Sequence, residues 1–121
     1  MPTYDLRMAV YTSPYLEYSD KEIFDKHNAP LDTLDPDEQA IIDRFNPQAK
    51  FPFLLLNGQY VQFDSGFSPA LIDGLDFDTL RGQLDAGEQN EATTAINAEA
   101  ALITRYLCHS TGGEPASVCS P

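Results

Sequence analysis

The segment at residues 50–63, KFPFLLLNGQYVQF, constrains the fold of this chain more than any other. Its first half is apolar up to residue 56, and its second half nearly alternates apolar and polar residues. Asn57 and Gly58, which separate the two halves, tolerate the positive φ angles that a tight type I′ turn needs. The segment therefore predicts a β-hairpin. Its first arm, apolar on both faces, reads as an interior strand, and its second arm as an outer strand with one face in water.

Three further elements are predicted before the hairpin. Residues 4–12 place apolar side chains at alternate positions, which indicates a first strand. A capping-box pattern at residues 19–22 predicts a short helix that ends at about His27. Asp35 as the N-cap and Pro36 at the first helical position predict a second helix. This helix would cross from the first strand to a parallel strand of the hairpin by a right-handed connection.

Helical patterns dominate the chain after the hairpin. Ser68 can cap a brief helical turn, and Asp76 can cap a helix that ends at Gly87. A last helix is predicted at about residues 94–109, before a pair of glycines. The predicted fold class is therefore α/β, with a small mixed sheet in the order β-α-β-β followed by C-terminal helices. We expect residues 1–121 to form a single domain.

The charge and hydropathy of the chain limit its partners. The sequence of 121 residues contains 19 acidic and 7 basic residues, which gives a net charge of −12. Binding to phosphate groups depends on clustered Lys and Arg, so we expect neither nucleic acid nor an anionic membrane surface as a partner. No apolar stretch approaches the roughly 20 residues that cross a bilayer, so we expect no direct membrane insertion. The start of the chain also lacks the basic and apolar segments of a signal peptide.

Two cysteines near the C-terminus are the main candidates for covalent chemistry. Cys108 falls at the end of the last predicted helix, and a short segment rich in Gly, Ser and Pro separates it from Cys119. Such a tail can fold back, so a structural Cys108–Cys119 disulfide is predicted, with two free thiols as the alternative. A disulfide would place the protein in an oxidising compartment. The spacing is not the C-x-x-C of a redox pair.

No other residues form a motif for catalysis, a metal or a cofactor. His27 and His109 have no further His or Cys at ligand spacing. The acidic clusters lack the spacing of a calcium loop, with its central glycine and closing glutamate. No nucleophile motif and no glycine-rich phosphate loop is present. We therefore assign no catalytic residue, no metal site and no cofactor.

Four short segments of the chain, taken in their order and spacing, resemble those of a protein family. They are YTSPYL, FPF, FSPAL and TGGEPASVC, at residues 11–16, 51–53, 67–71 and 111–119. In these segments the chain resembles a thioredoxin-like family known as domain of unknown function 929, and the last segment is the most specific. The resemblance implies a thioredoxin-like fold in which a cis-proline at the Phe51-Pro52 junction precedes the hairpin and borders a substrate groove. Phe51 and Pro52 are therefore candidate groove residues.

The same resemblance implies that the chain is a truncated form of the family's domain. Residues 4–12 match the family's second strand, so the opening strand-helix unit with its cysteine-containing segment has no counterpart. In the thioredoxin arrangement that strand lies in the middle of the sheet. We therefore expect a homo-oligomer, or a partner protein that supplies a strand. Family members resemble exported or membrane-anchored proteins, so an extracytoplasmic location is expected.

Two functions follow from these expectations. In the first, the chain is the C-terminal part of a thioredoxin-like thiol-disulfide protein and is catalytically silent by itself, because it has no C-x-x-C site. In the second, it is a non-enzymatic extracytoplasmic binding or structural module stapled by the Cys108–Cys119 disulfide.

Overall fold

The structure is a computed structural model that describes residues 10, 12–25 and 27–120. These residues form two compact units, which divide between Asp64 and Ser65. The first unit contains helix α1 (Pro36–Phe45) and strands β1 (Leu54–Leu56) and β2 (Tyr60–Gln62). The second contains a 3-10 helix (Pro69–Ile72) and helices α2 (Phe77–Asp85), α3 (Glu91–Ser110) and α4 (Ala116–Cys119). Helices together with a small sheet agree with the predicted α/β class, whereas the thioredoxin-like arrangement and the single domain stay predictions.

The hairpin of the first unit is confirmed as two antiparallel strands. Asn57 and Gly58 have φ angles of 52° and 64°, as the predicted turn requires. The Gln59 N–H donates to the Leu56 carbonyl over 3.0 Å. Leu56 lies opposite Tyr60, so three residues rather than two separate the strands. All strand residues are half-buried, so the first arm is less buried than its apolar composition predicted.

The first predicted strand, residues 4–12, lies almost entirely outside the described residues. Val10 and Thr12 are the described residues of this segment, and neither belongs to a strand. The sheet of the described residues therefore consists of the two antiparallel strands of the hairpin. The parallel pairing that would make the sheet a mixed one stays a prediction.

The short helix predicted from residue 19 to His27 is wrong, because the described residues of this segment form a loop closed by an isolated antiparallel bridge. The Asp25 carboxylate accepts hydrogen bonds from the N–H groups of His27 and Ala29, over 2.7 and 2.9 Å. A short acidic side chain that bonds nearby backbone groups offers the backbone an alternative to a helix. The capping pattern at residues 19–22 therefore starts no helix.

Helix α1 begins where the sequence predicted. The Asp35 carboxylate accepts a hydrogen bond from the Glu38 N–H over 2.8 Å, and the Asp35 N–H donates to the Glu38 carboxylate over 2.9 Å. This reciprocal pair is a capping box, which satisfies two of the backbone donors that a helix start leaves open. The helix ends at Phe45, two residues before Pro47, and none of its residues is fully buried.

The second unit has a small apolar core between its helices. Leu80 of α2 and Ala92 of α3 are the buried apolar residues of the described chain, with 4% and 5% of their surface exposed. Ser68 and Asp76 cap the 3-10 helix and α2, as predicted. Since few large side chains are enclosed, each of these buried contacts carries a large share of the packing energy.

Helix α3 starts earlier than the predicted residue 94. Asn90 is its N-cap: the side-chain Oδ1 atom of Asn90 accepts from the Thr93 N–H over 2.9 Å, and the Thr93 hydroxyl accepts from the Asn90 N–H over 3.0 Å. The hydroxyl of Thr93, a fully buried side chain, also donates to the Glu88 carbonyl over 2.6 Å. The amide of Asn90 donates to the Gln83 side chain of α2 over 3.1 Å. This network ties the start of α3 to α2.

Candidate functional site

The candidate groove residues, Phe51 and Pro52, lie in the loop between α1 and β1. Both are exposed, Phe51 over 46% of its surface. The peptide bond that joins them is cis. The two residues offer apolar surface for contact with a partner, and their role in a groove stays a prediction.

Asn46 fixes the loop that leads to Phe51. Its side chain is buried, and its Nδ2 group donates to the Lys50 carbonyl over 2.8 Å while its Oδ1 atom accepts from the Lys50 N–H over 2.9 Å. Its backbone N–H donates to the Ile42 carbonyl over 2.7 Å and so ends α1. One buried amide therefore connects the helix end with the start of the hairpin arm. This role of Asn46 was not predicted, although an Asn between the apolar residues of a helix and Pro47 is a signal of a helix end.

Replacing Asn46 tests this connection. We expect Asn46→Ala to lower the free energy of unfolding by about 1–3 kcal/mol, because the polar backbone groups of Lys50 lose their partners in a part-buried setting. Urea unfolding followed by circular dichroism measures the change. Gln48→Ala, at an exposed position in the same loop, is the matched control and is expected to stay within about 0.5 kcal/mol of the wild type. Equal losses in the two variants would contradict the assignment.

Two aromatic residues form a pair at the end of the hairpin opposite its turn. The rings of Phe53 and Phe63, which precede β1 and follow β2, lie 6.1 Å apart with an interplanar angle of 33°. This distance is within the range of favourable aromatic pairs. Phe63 remains 41% exposed, so this end of the hairpin also presents apolar surface.

Cys108 and Cys119 form a disulfide bond, which confirms the predicted pairing. Cys108 lies near the end of α3, and Cys119 is the last residue of α4. The Gly113 N–H donates to the Cys108 carbonyl over 2.8 Å, and Gly112 has a φ angle of 67°. This bond and the left-handed glycine are those of a Schellman motif, which turns the chain back at the end of α3.

None of the residues between Cys108 and Cys119 is fully buried. The Thr111 hydroxyl donates to the Glu114 carbonyl over 2.6 Å, which holds the turn after α3. Within α4, Ala116, Ser117 and Val118 are all exposed. Little apolar burial therefore holds these residues of the tail, and the Cys108–Cys119 bond attaches the tail covalently to α3.

The chemistry available to the described residues is limited. Both cysteines are oxidised, so neither is a free thiol. No group of three or more His, Cys, Asp or Glu side chains in the described residues could hold a metal ion. None of the described helices combines the length and the apolar composition needed to cross a membrane.

Glu99 of α3 carries a buried carboxylate oxygen, Oε1, that has no hydrogen-bond partner among the described residues. Its carboxylate lies against Gly66, where a Cβ atom would collide with it. Gly66 also has a φ angle of 76°, a region that favours glycine. Position 66 therefore accepts no larger residue without a shift of Glu99.

The N-cap carboxylates have lowered pKa values. A hydrogen bond from the Thr79 backbone N–H, followed by one from its hydroxyl, holds the pKa of Asp76 below its ordinary value of 3.8. Hydrogen bonding from the Glu38 backbone, only partly offset by burial, lowers the pKa of Asp35 in the same way. In both cases the hydrogen bonds favour the charged carboxylate, which also lies at the positive end of a helix.

These shifts predict a loss of stability in acid. A carboxyl whose folded pKa lies below its unfolded value stabilises the fold above the unfolded pKa and loses this contribution as the pH falls through the folded pKa. We therefore expect the free energy of unfolding, measured in urea, to fall as the pH drops below about 4. Asp76→Asn keeps an oxygen that caps the helix but does not titrate, so its stability is expected to depend less on pH over this range. An equally steep fall in that variant would exclude Asp76 as a contributor.

Comparison with known proteins places the chain in no family. No protein-family model, no curated protein and no solved structure matches it. Its description therefore rests on its own features: the described residues combine helices, a short antiparallel hairpin and a disulfide-bonded C-terminal segment, which is compatible with the α/β class.

Proposed function

We propose that this chain is a non-enzymatic binding or structural module, stapled by the Cys108–Cys119 disulfide and active in an oxidising compartment. The disulfide is the observation that carries the proposal. Structural disulfides persist in extracytoplasmic settings and are reduced elsewhere. A nucleophilic cysteine acts as the thiolate, and this bond leaves neither cysteine in that form.

The partner we propose is a second copy of the chain or a protein that supplies a β-strand. Two-stranded hairpins are marginal alone, and the edges of short strands pair readily with a further strand. Phe51 and Phe63 add exposed apolar surface next to the hairpin arms. The net charge of −12 disfavours nucleic acid as the partner.

The state of the cysteines is tested by alkylation and mass spectrometry. Protein prepared from an oxidising compartment is denatured without reductant and treated with iodoacetamide. We expect no alkylation at Cys108 or Cys119, and alkylation of both after reduction. Two alkylated cysteines in the unreduced sample would overturn the proposal.

The non-enzymatic part of the proposal has its own test. Insulin reduction and thiol oxidation are measured for the wild type and for the double variant Cys108→Ser/Cys119→Ser. We expect equal background rates, because the disulfide serves the structure only. A wild-type rate clearly above that of the double variant would show thiol-disulfide exchange and contradict this part.

Association is tested by sedimentation velocity at rising protein concentration. We expect a dimer or a larger species, and Phe51→Ser to shift the equilibrium toward monomer because it removes apolar contact surface. Gln48→Ser is the control at a nearby exposed polar position. Strictly monomeric behaviour at high concentration would exclude the second copy and leave the strand-supplying protein as the proposed partner.

The second candidate function is that of the C-terminal part of a thioredoxin-like thiol-disulfide protein. It is favoured by the four family-like segments and by the position of Phe51-Pro52 directly before the hairpin. Reduced, unfolded insulin B chain is a suitable peptide probe of this surface. We expect it to shift the NMR signals of Phe51 and its neighbours, and the shifts to disappear in Phe51→Ser but not in Gln48→Ser. Unchanged signals around Phe51 would argue against this candidate.

A further inference from the structure

The hairpin turn contains the chain's one Asn-Gly dipeptide, Asn57-Gly58, and both residues are exposed. The hydrogen bond of the turn runs from the Gln59 N–H to Leu56. Among the described residues, no hydrogen bond engages the Asn57 side chain or the Gly58 N–H. Apart from Gly58 and its neighbours Asn57 and Gln59, no heavy atom lies within 4 Å of the place where a Cβ of Gly58 would stand. The Asn57 amide carbon and the Gly58 nitrogen are therefore both open to reaction.

At two other asparagines, the backbone nitrogen of the following residue is not free to attack the asparagine side chain. Asn46 is buried and precedes Pro47, which has no N–H. Asn28 is exposed and has a φ angle of 63°, but the N–H of the next residue, Ala29, donates to the Asp25 carboxylate over 2.9 Å. Asn28 therefore shares the exposure and the left-handed backbone of Asn57, but the residue after it has no unbonded N–H.

The remaining two asparagines are held by helix α3. The Asn90 side chain accepts a hydrogen bond from the Thr93 N–H and donates one to Gln83. Asn97 lies in the middle of the helix, where the backbone N–H groups are bonded to carbonyls one turn earlier. Among the five asparagines of the sequence, Asn57 alone combines a following glycine with an unbonded amide.

We propose that Asn57 is a site of spontaneous deamidation. The Gly58 backbone nitrogen attacks Cγ of Asn57, so that a new C–N bond closes a five-membered succinimide. The bond between Cγ and Nδ2 breaks, and the amide leaves as ammonia with the proton from the Gly58 nitrogen. Water then adds to one of the two ring carbonyls and gives aspartate or isoaspartate. The absent side chain of Gly58 leaves the path of the attack open.

Each product changes the hairpin. Both place a carboxylate at the tip of a turn that carries no charge, in a chain that already has a net charge of −12. Isoaspartate also adds a methylene group to the backbone between Leu56 and Tyr60, which lie opposite each other in the present register. The modification therefore alters both the charge of the turn and the length of the loop that sets the register.

The test follows each asparagine separately in the intact, folded chain. The protein is incubated at mildly alkaline pH, where the backbone nitrogen loses its proton more readily, and is then digested and mapped by mass spectrometry. We expect the peptide with Asn57 to gain the mass difference between an amide NH₂ and a hydroxyl while the other four asparagines remain amides. Fragmentation must locate any isoaspartate, because Asp73-Gly74 can form it without a change in mass. Retention of the Asn57 amide for as long as that of Asn97 would overturn the proposal.

A variant supplies an independent readout. Asn57→Gln is expected to lose the acidic species that ion-exchange chromatography detects in the aged wild type, since glutamine would have to close a larger ring. Asn28→Gln removes an exposed asparagine of the same unit and is expected to keep the acidic species. The same acidic shift in Asn57→Gln and in the wild type would place the reaction elsewhere.

Discussion

Replacing Cys108 with serine is expected to lower the free energy of unfolding by about 3 kcal/mol, the chain-entropy value for cysteines separated by 11 residues. The loss arises because the unfolded chain is no longer restricted by a closed loop. In the folded state, the exposed residues of α4 provide little burial to hold the tail. Urea unfolding under non-reducing conditions measures the difference.

The matched variants make this prediction specific. Cys119→Ser and the double variant Cys108→Ser/Cys119→Ser should lose as much as Cys108→Ser, because all three remove the same bond. Ser117→Ala, at an exposed position of α4, controls for changes of the tail that leave the disulfide intact. If the double variant lost about twice as much as each single variant, the cysteines would act independently and not through a shared bond.

The second large effect is expected at Leu80, where truncation to alanine should cost about 2–5 kcal/mol. Leu80 is 4% exposed and is the one large apolar side chain among the described residues that is buried. Truncation removes buried apolar surface and leaves a cavity in its place. The measurement is urea unfolding followed by the helical circular dichroism signal.

Arg81 offers a control in the same helix. Its guanidinium lies 3.6 Å from the Asp85 carboxylate, but both side chains are mostly exposed. Exposed ion pairs contribute roughly 0–1 kcal/mol, so Arg81→Ala is expected to stay close to the wild type. A Leu80→Ala loss no larger than that of Arg81→Ala would show that the second unit does not depend on this core.

The elements that the sequence predicted correctly depend on neighbouring residues. Asp35 and Asp76 cap their helices because an acidic side chain reaches backbone N–H groups within one turn. Asn57-Gly58 forms its turn because both residues accept a positive φ angle. Such signals need no information about the rest of the chain, and each was found at the expected place.

The elements that were missed depend on partners further along the chain. At residues 19–25 a distant hydrogen bond adds to the local ones that Asp25 accepts: the Glu22 N–H donates to the Asp32 carboxylate over 2.8 Å, and together these bonds favour a loop over a helix. Glu22 and Asp32 are ten positions apart, so a pattern of neighbouring residues does not predict their hydrogen bond. The early start of α3 was missed for another reason: Thr93 takes the place of the Glu or Gln that a capping box usually carries.

The candidate site divides in the same way. The disulfide could be predicted because a tail rich in Gly, Ser and Pro lets Cys119 return to Cys108. The predicted role of Phe51 and Pro52 is contact with a partner molecule, and the sequence of this chain does not identify that partner. The loop that positions them also relies on Asn46, whose buried amide becomes evident only from its two bonds to Lys50.

The two hydrogen bonds between the Asn46 side chain and the Lys50 backbone predict which residue types distant relatives of this protein should keep. The asparagine contributes both its amide groups, so its identity matters, whereas Lys50 contributes only its backbone N–H and carbonyl. Position 50 should therefore tolerate any residue with an N–H, which excludes proline. An insertion or deletion between the two positions would separate the partners. Relatives too dissimilar for a sequence comparison are thus expected to keep an asparagine at a fixed spacing before the hairpin. The residue at the position of Lys50 is expected to vary.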